Sequence, residues 1–190
     1  MFDHIRSIQS RDPIMPTFME VLLGYNGYHA ACWHRFSHIL WGMKLRALAR
    51  LSSNFARMIT GVEIHPQAQI GKRLFIDHGT GCVIGQTAII GDDVTLYHGV
   101  TLGGVGSDSK NASKTEKRHP TIENGVMIGA GAQILGDITI GENAKVGSNS
   151  VVVQDIPAGC TAIGIPAKII CKEGRGAGAY GMPTIEDWVI

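Results

Sequence analysis

Aliphatic side chains recur at every sixth position through most of this chain. The series runs Ile64, Ile70, Ile76, slips by two residues, and resumes as Ile84, Ile90, Leu96, Leu102. After a long polar stretch it returns as Ile122, Ile128, Ile134, Ile140, Val146 and Val152. The next slot is Ala158, so thirteen of fourteen slots are large and aliphatic, and the small one falls where the repeat would end. Four residues after most slots comes a small or β-branched residue: Ala68, Ala88, Val94, Val100, Val126, Ala132 or Ala144. Glycine often follows the slot directly, as at Gly71, Gly85, Gly91, Gly103, Gly129, Gly141 and Gly147.

A period of six matches neither an amphipathic helix nor a hairpin sheet. It is the hexapeptide signature of a parallel β-helix. Three short strands per coil make a triangular prism, and each slot residue points to the axis and stacks on its equivalent one coil away. The small residue fits where the wall turns, and glycine tolerates the corner backbone. Stacked coils bury a continuous core that no single repeat could bury. This repeat class takes the left-handed form, an exception to the right-handed crossover rule.

Before residue 62 the pattern is helical. Pro16 can open a helix with Thr17 and Glu20 in its first turn. Two apolar stretches follow, broken by Gly24 and Asn26-Gly27, which reads as a turn or kink between two helices. Over 44–59, Leu45, Leu48, Leu51, Phe55 and Ile59 step by three and four, an amphipathic helix that Gly61 ends. The expected fold is therefore mainly β, with a short N-terminal α-helical segment at 1–61, a left-handed parallel β-helix at 62–170, and a flexible, Gly-rich tail at 171–190.

Two interruptions break the six-residue register, and chemistry tends to sit where local rules fail. The first is the slip at DHGTGC, 77–82. The second is the polar loop at about 103–121, which should project from the prism and cover a neighbouring surface.

Composition narrows the function classes. The chain has 190 residues, 44% of them hydrophobic, and a formal net charge of +1. A near-neutral balance gives no reason to expect nucleic acid or an acidic membrane surface as partner. The first residues lack an apolar signal region, and no stretch is apolar enough to span a bilayer, so a cytoplasmic protein is expected. Cys32, Cys82, Cys160 and Cys171 form no CxxC pair and are expected to be free thiols in a reducing compartment.

His78 lies in the first interruption beside Asp77, and Glu63 is fifteen residues earlier, nearly one coil back. Coils stack about 5 Å apart, so a carboxylate on one can orient an imidazole on the next. A His–carboxylate pair suits general-base activation of an alcohol, although His78 could merely cap a bulge. Arg118 and His119 end the polar loop. An Arg fork suits a substrate carboxylate, while Lys114, Lys117 and Arg118 together could equally be a solvated basic loop end. Cys82 is a nucleophile by residue type, but nothing electropositive is spaced to activate it apart from His78. His34 and His38 stand four apart on a helix with no patterned third metal ligand, which favours packing.

These features carry a resemblance. RDP at 11–13, GVEIHP at 61–66, DHGTGCVIGQTA at 77–88, VTLGGVG at 100–106, RHPTI at 118–122, GVMIGAGAQILG at 125–136 and GIPAK at 164–168 together are similar to the serine acetyltransferases, which make O-acetylserine for cysteine synthesis. The likeness covers roughly 11–170. The hexapeptides alone point only to a broad acyltransferase superfamily; the DHGTG and GG…RHP pair is far more specific.

The resemblance implies acetyl-CoA as co-substrate, L-serine as acceptor and no metal. It makes His78 the base that deprotonates the serine hydroxyl and Glu63 its orienting acid, a position more often aspartate. Asp12 and Asp77 would receive the substrate ammonium, Arg118 the carboxylate, and His119 would line the same pocket. Gly103, Gly104, Ala130, Lys145, Ser148, Gly164 and Lys168 would form the acetyl-CoA groove. The site is implied to lie between subunits of a homotrimer. The helical segment is shorter than in members that join two trimers, so the hexamer does not carry over. The loop before Arg118 is several residues longer than in many relatives, which bears on acceptor choice. The tail ends in Ile190 after a Gly-rich tether, and by resemblance that isoleucine would enter the active site of O-acetylserine sulfhydrylase. Two alternatives stand beside this reading. One is the same fold acetylating a sugar hydroxyl, against which the amino-acid-sized charge set of Asp12, Asp77 and Arg118 argues. The other is a non-catalytic or zinc-binding β-helix trimer, which would need His65, His78, His98 and His119 to converge.

Overall fold

A computed structural model describes residues 2–106 and 117–171. The middle of the polar loop and the tail with Ile190, for which a partner was expected, lie outside the described residues.

The prism forms as the period predicts. Among the described residues, fifteen short strands build three sheets, which meet along three edges. Sheet A contains β1 (Glu63–Ile64), β4 (Val83–Ile84), β7 (Thr101–Gly103), β10 (Gln133–Leu135) and β13 (Val151–Val152). Sheet B contains β2 (Gln69–Ile70), β5 (Ile89–Ile90), β8 (Thr121–Ile122) and β11 (Thr139–Ile140). Sheet C contains β3 (Phe75–Ile76), β6 (Thr95–Leu96), β9 (Met127–Ile128), β12 (Lys145–Val146), β14 (Thr161–Ile163) and β15 (Lys168–Ile170). All pairings are parallel except β14 with β15. Slot residues stack in register, Ile64 beside Ile84, Ile84 beside Leu102 and Leu96 beside Ile128. The expected small residues, Ala68 through Ala144, are all buried beside them.

Three details differ from expectation. The last coil is two residues short, so Ile156 rather than Ala158 fills the slot and bridges to Ile140. A 2% exposed isoleucine closes the column better than alanine could. The glycines after the slots are required by close stacking rather than by corner conformation. A Cβ on Gly129 would meet the Ser148 nitrogen at 2.6 Å, and its φ is not among the positive ones. The third correction concerns cysteine. Cys160 and Cys171 are not free but form a disulfide. The antiparallel register pairs Thr161 with Ile170, which sets the two flanking residues opposite each other, Cα to Cα 4.4 Å. Cys32 and Cys82 remain free thiols.

Among the described residues, four helices cover the start of the prism: α1 (Phe2–Arg11), α2 (Phe18–Gly24), α3 (Asn26–Gly42) and α4 (Arg46–Thr60). Helix α1 was not anticipated, because its ten residues are polar apart from Phe2 and the pair Ile5 and Ile8, both of that pair fully buried. Thr17 and Glu20 make a full capping box on α2, and Gly61 ends α4 in the left-handed conformation at φ 73°. The amphipathic α4 is inverted relative to a monomer's core. Its small face, Ala49, Ser53, Ala56 and Thr60, is buried, with the Ser53 hydroxyl donating to the Ile64 carbonyl at 3.0 Å. Leu48, Leu51, Phe55, Met58 and Ile59 face outward, 48–79% exposed. No helix among the described residues is long and apolar enough to cross a membrane.

Ile128→Ala removes a fully buried slot residue from the middle of the column. It is expected to lower unfolding free energy by about 2–5 kcal/mol, read by denaturant titration at fixed protein concentration.

Candidate active site

The register slip becomes a bulge on the edge between sheets C and A. There His78 and Gly79 are consecutive left-handed residues, at φ 58° and 78°. Arg73, Asp93, Asn143 and Asn149 take the same left-handed conformation at other prism turns, so the backbone here is that of a turn in the repeat. The bulge pushes His78 outward, its side chain 76% exposed, with Nε2 at 3.9 Å from Asp77 Oδ1 and its ring against His98, centroids 5.9 Å apart.

Asp12 reaches this bulge from the end of α1. Arg11 fixes that end to the prism: Nη1 donates to the Asp93 carbonyl at 2.8 Å and to Thr95 Oγ1 at 3.1 Å, and Nη2 donates to the Arg73 carbonyl. The neighbouring Asp12 is thereby buried, its carboxylate accepting from the Ile14 amide at 2.9 Å and the Tyr25 hydroxyl at 2.6 Å. Burial pushes the Asp77 carboxyl up; His78 pulls it down and Asp12 pushes it further up. Among the described residues neither carboxylate has a Lys or Arg partner, and the only ion pair is the long one to His78. The two acids thus act on each other's charge without a fixed Lys or Arg beside them among the described residues.

Arg118 and His119 sit on a different edge, between sheets A and B. Thr87 Oγ1 accepts from the amides of Arg118 and His119, at 3.0 and 3.2 Å, and lies 2.8 Å from His119 Nδ1. The Thr87 amide also donates to Nδ1, leaving Nε2 as the ring's free donor. Gly85 is needed beneath the ring, since a Cβ there would lie 2.0 Å from His119 Cδ2. Burial, then Arg118 and Lys117, lowers the His119 pKa. His65 belongs to this edge too, its pKa pushed down to about 4 by burial, with Arg50, His119 and Arg118 contributing.

The chain therefore splits the expected serine-binding set. Asp12, Asp77 and His78 gather on one edge, Arg118 and His119 on the other, separated by the width of sheet A, roughly 15–20 Å for a side of about six extended residues. Glu63 stands on sheet A with its carboxylate 3.4 Å from Arg57, and Asp77 is the carboxylate nearest His78. The expected acetyl-CoA residues divide similarly. Ala130 and Ser148 lie at turns above His98 on the edge between sheets C and A, the Gly131 amide donating to the His98 carbonyl and the Asn149 amide to the Ala130 carbonyl. Gly164 tops that edge, its amide donating to Ser150 Oγ at 3.1 Å. Lys145 begins β12 and Lys168 begins β15 on sheet C, whereas Gly103 and Gly104 adjoin the Arg118 edge. The four histidines weighed as zinc ligands separate in the same way, His78 with His98 and His65 with His119. His34 and His38 pack 5.6 Å apart, His38 Nδ1 bonded to the Pro66 carbonyl, and no cluster of three metal-ligating residues occurs among the described residues. Sequence reasoning missed Arg11, Tyr25 and Thr87, although RDP and DHGTGCVIGQTA already contained the first and last.

The sequence profile of the bacterial transferase hexapeptide (six repeats) matches residues 119–154. A serine acetyltransferase of Mycobacterium tuberculosis is 51% identical over 184 residues, 97% of this chain and 76% of that protein. The chain belongs to the serine acetyltransferase family. The crystal structure of a Neisseria gonorrhoeae serine acetyltransferase in complex with serine superposes with a TM-score of 0.80 at 44% identity, covering 87% of this chain. The chain spans 65% of the gonococcal chain's length. A serine acetyltransferase complex with CoA matches at TM-score 0.80 and 41% identity, over 88% of this chain and 66% of the other. With these relatives the fold is a left-handed parallel β-helix with N-terminal helices.

Family membership does not give Cys82 a chemical role. It is fully buried, and burial pushes its thiol up to about 12. At pH 8 a maleimide is expected to label exposed Cys32 in the native protein and leave Cys82 unmodified until denaturant is added, read by mass spectrometry.

Proposed function

We propose that this chain transfers acetyl from acetyl-CoA to the L-serine hydroxyl, with His78 as the base, in a site shared between subunits of a homotrimer. The observation that carries this reading is the approach of Asp12 and Asp77 beside an exposed imidazole: two acids whose charges act on each other, without a Lys or Arg partner among the described residues. Serine would place its ammonium on these acids and its hydroxyl at His78. As the hydroxyl oxygen attacks the thioester carbonyl, its proton passes to the imidazole. Backbone amides stabilise the oxyanion. When the carbon–sulfur bond breaks, the imidazolium returns the proton to the departing CoA thiolate. Glu63 takes the orienting role by turning from Arg57 toward an imidazole. Ala130, Ser148 and Gly164 mark a path along the His78 edge for the pantetheine arm, with Lys145 and Lys168 beside it for phosphates. O-acetylserine made this way would feed cysteine synthesis, with the cytoplasm as the proposed compartment.

The split supports a site completed by a neighbouring copy, and a closed ring of three such contacts is the proposed trimer. A serine molecule cannot bridge one prism face, so its carboxylate must meet Arg118 and His119 of a neighbouring copy, with Gly103 and Gly104 arriving on the same edge. The outward apolar face of α4 also requires cover.

His78→Ala is expected to lower kcat by about a hundred- to ten-thousandfold while leaving acetyl-CoA binding intact. Turnover within threefold of wild type would remove His78 from the base role. Mixing His78→Ala and Arg118→Ala subunits tests the shared site. Random reassociation restores one site in each mixed trimer, so inactive parents should yield roughly a quarter of wild-type activity at low serine. Recovery of none would place the whole site within one chain.

A further inference from the structure

One polar group in the acid pocket has no part in the reaction just outlined. Tyr25 is the single residue between α2 and α3, closing one helix and opening the next at φ −94° and ψ 101°. Its phenol donates to Asp12 Oδ2 at 2.6 Å, while the Ile14 amide donates to Oδ1 at 2.9 Å. Each carboxylate oxygen is thus held by a different donor, and the group cannot rotate without losing one. Burial first, then the bond to Asp12 and the charges of Asp12, Asp77 and Glu20, pushes the phenol far above its usual range, so it stays a donor at any working pH.

The helix break is placed for this contact. A Cβ on Gly27 would lie 2.0 Å from the Ile76 carbonyl oxygen, so the first turn of α3 rests on the backbone immediately before Asp77. A larger residue there would lift Tyr25 away. Asp12 arrives from α1, Tyr25 from the α2–α3 break and Asp77 from the end of β3. Three elements distant in sequence converge on one carboxylate pair, and among the described residues the tyrosine bond is the one hydrogen bond that ties the helix break to Asp12.

We propose that Tyr25 is a positioning residue for the acceptor: it orients Asp12 so that the remaining lone pairs, together with Asp77, receive the α-ammonium of an amino-acid substrate. The inference rests on Asp12 being the ammonium acceptor and adds a residue that selects amino-acid acceptors over plain hydroxy acids. Losing one hydrogen bond to a charged group corresponds to about a tenfold weakening.

The test uses the full chain with Tyr25→Phe, which keeps the ring. KM for L-serine should rise about tenfold, with kcat within twofold and KM for acetyl-CoA unchanged. The inhibition constant of 3-hydroxypropionate, which is serine without its ammonium, should not move. Both ligands are read on the same variant, so a partly unfolded population would lower kcat without producing this split. An unchanged serine KM, or equal weakening of both ligands, overturns the inference. Asp12→Asn run in parallel separates the two layers: a raised serine KM there with none in Tyr25→Phe overturns the Tyr25 role alone, whereas no change in Asp12→Asn overturns the ammonium reading and this inference with it.

Discussion

The axial column of aliphatic side chains is the interaction on which everything else depends. Each coil contributes three inward residues, and almost all are fully buried: Ile84, Leu96 and Leu102 in the lower coils, Ile128, Ile134 and Ile140 above. At about 25 cal/mol per Å² of apolar surface removed from water, a buried isoleucine contributes roughly 1.5–3 kcal/mol, but only when the coils above and below are present. The column therefore enforces register. Where Ala158 would have left it thin, the chain shortens its last coil and inserts Ile156 instead. The same demand for close stacking excludes a Cβ at Gly129.

A structure so strictly periodic can place chemistry only where the period is broken or an edge turns. The two-residue slip becomes the left-handed pair His78–Gly79, which throws an imidazole out of the wall. The polar loop returns at Arg118–His119 and is seated by Thr87, one side of the prism away. A prism has rigid faces, so these two edges cannot approach each other within one chain.

The helices serve the same geometry. Arg11 docks α1 by binding backbone carbonyls at a prism turn, and Asp12 follows it into the pocket. Helix α4 turns its small residues inward, where Ser53 bonds to the Ile64 carbonyl, and its large apolar face lies outside. The disulfide between Cys160 and Cys171 closes the last hairpin, whose strand β15 is exposed along its length.

By itself the sequence determined the prism, because a six-residue period with thirteen aliphatic slots has no other packed solution, and local signals such as Thr17–Glu20 and Gly61 determined their helix ends. Through its motifs it also named His78, Asp77, Asp12, Arg118 and His119. Contacts between elements far apart in the chain were decided only by tertiary structure. Helix α1 escaped notice because two buried isoleucines among polar residues make a weak pattern, and tertiary packing rather than periodicity holds it. The cysteine pair was hidden because an antiparallel return at the end of a parallel repeat leaves no periodic trace. Glu63 faces Arg57 because a side chain's partner depends on which helix covers its face, and spacing along the chain carries no information about that. The division of the expected serine-binding residues between two edges has the same origin: sequence gives residue identities and order, but only the closed triangular section assigns each residue to an edge.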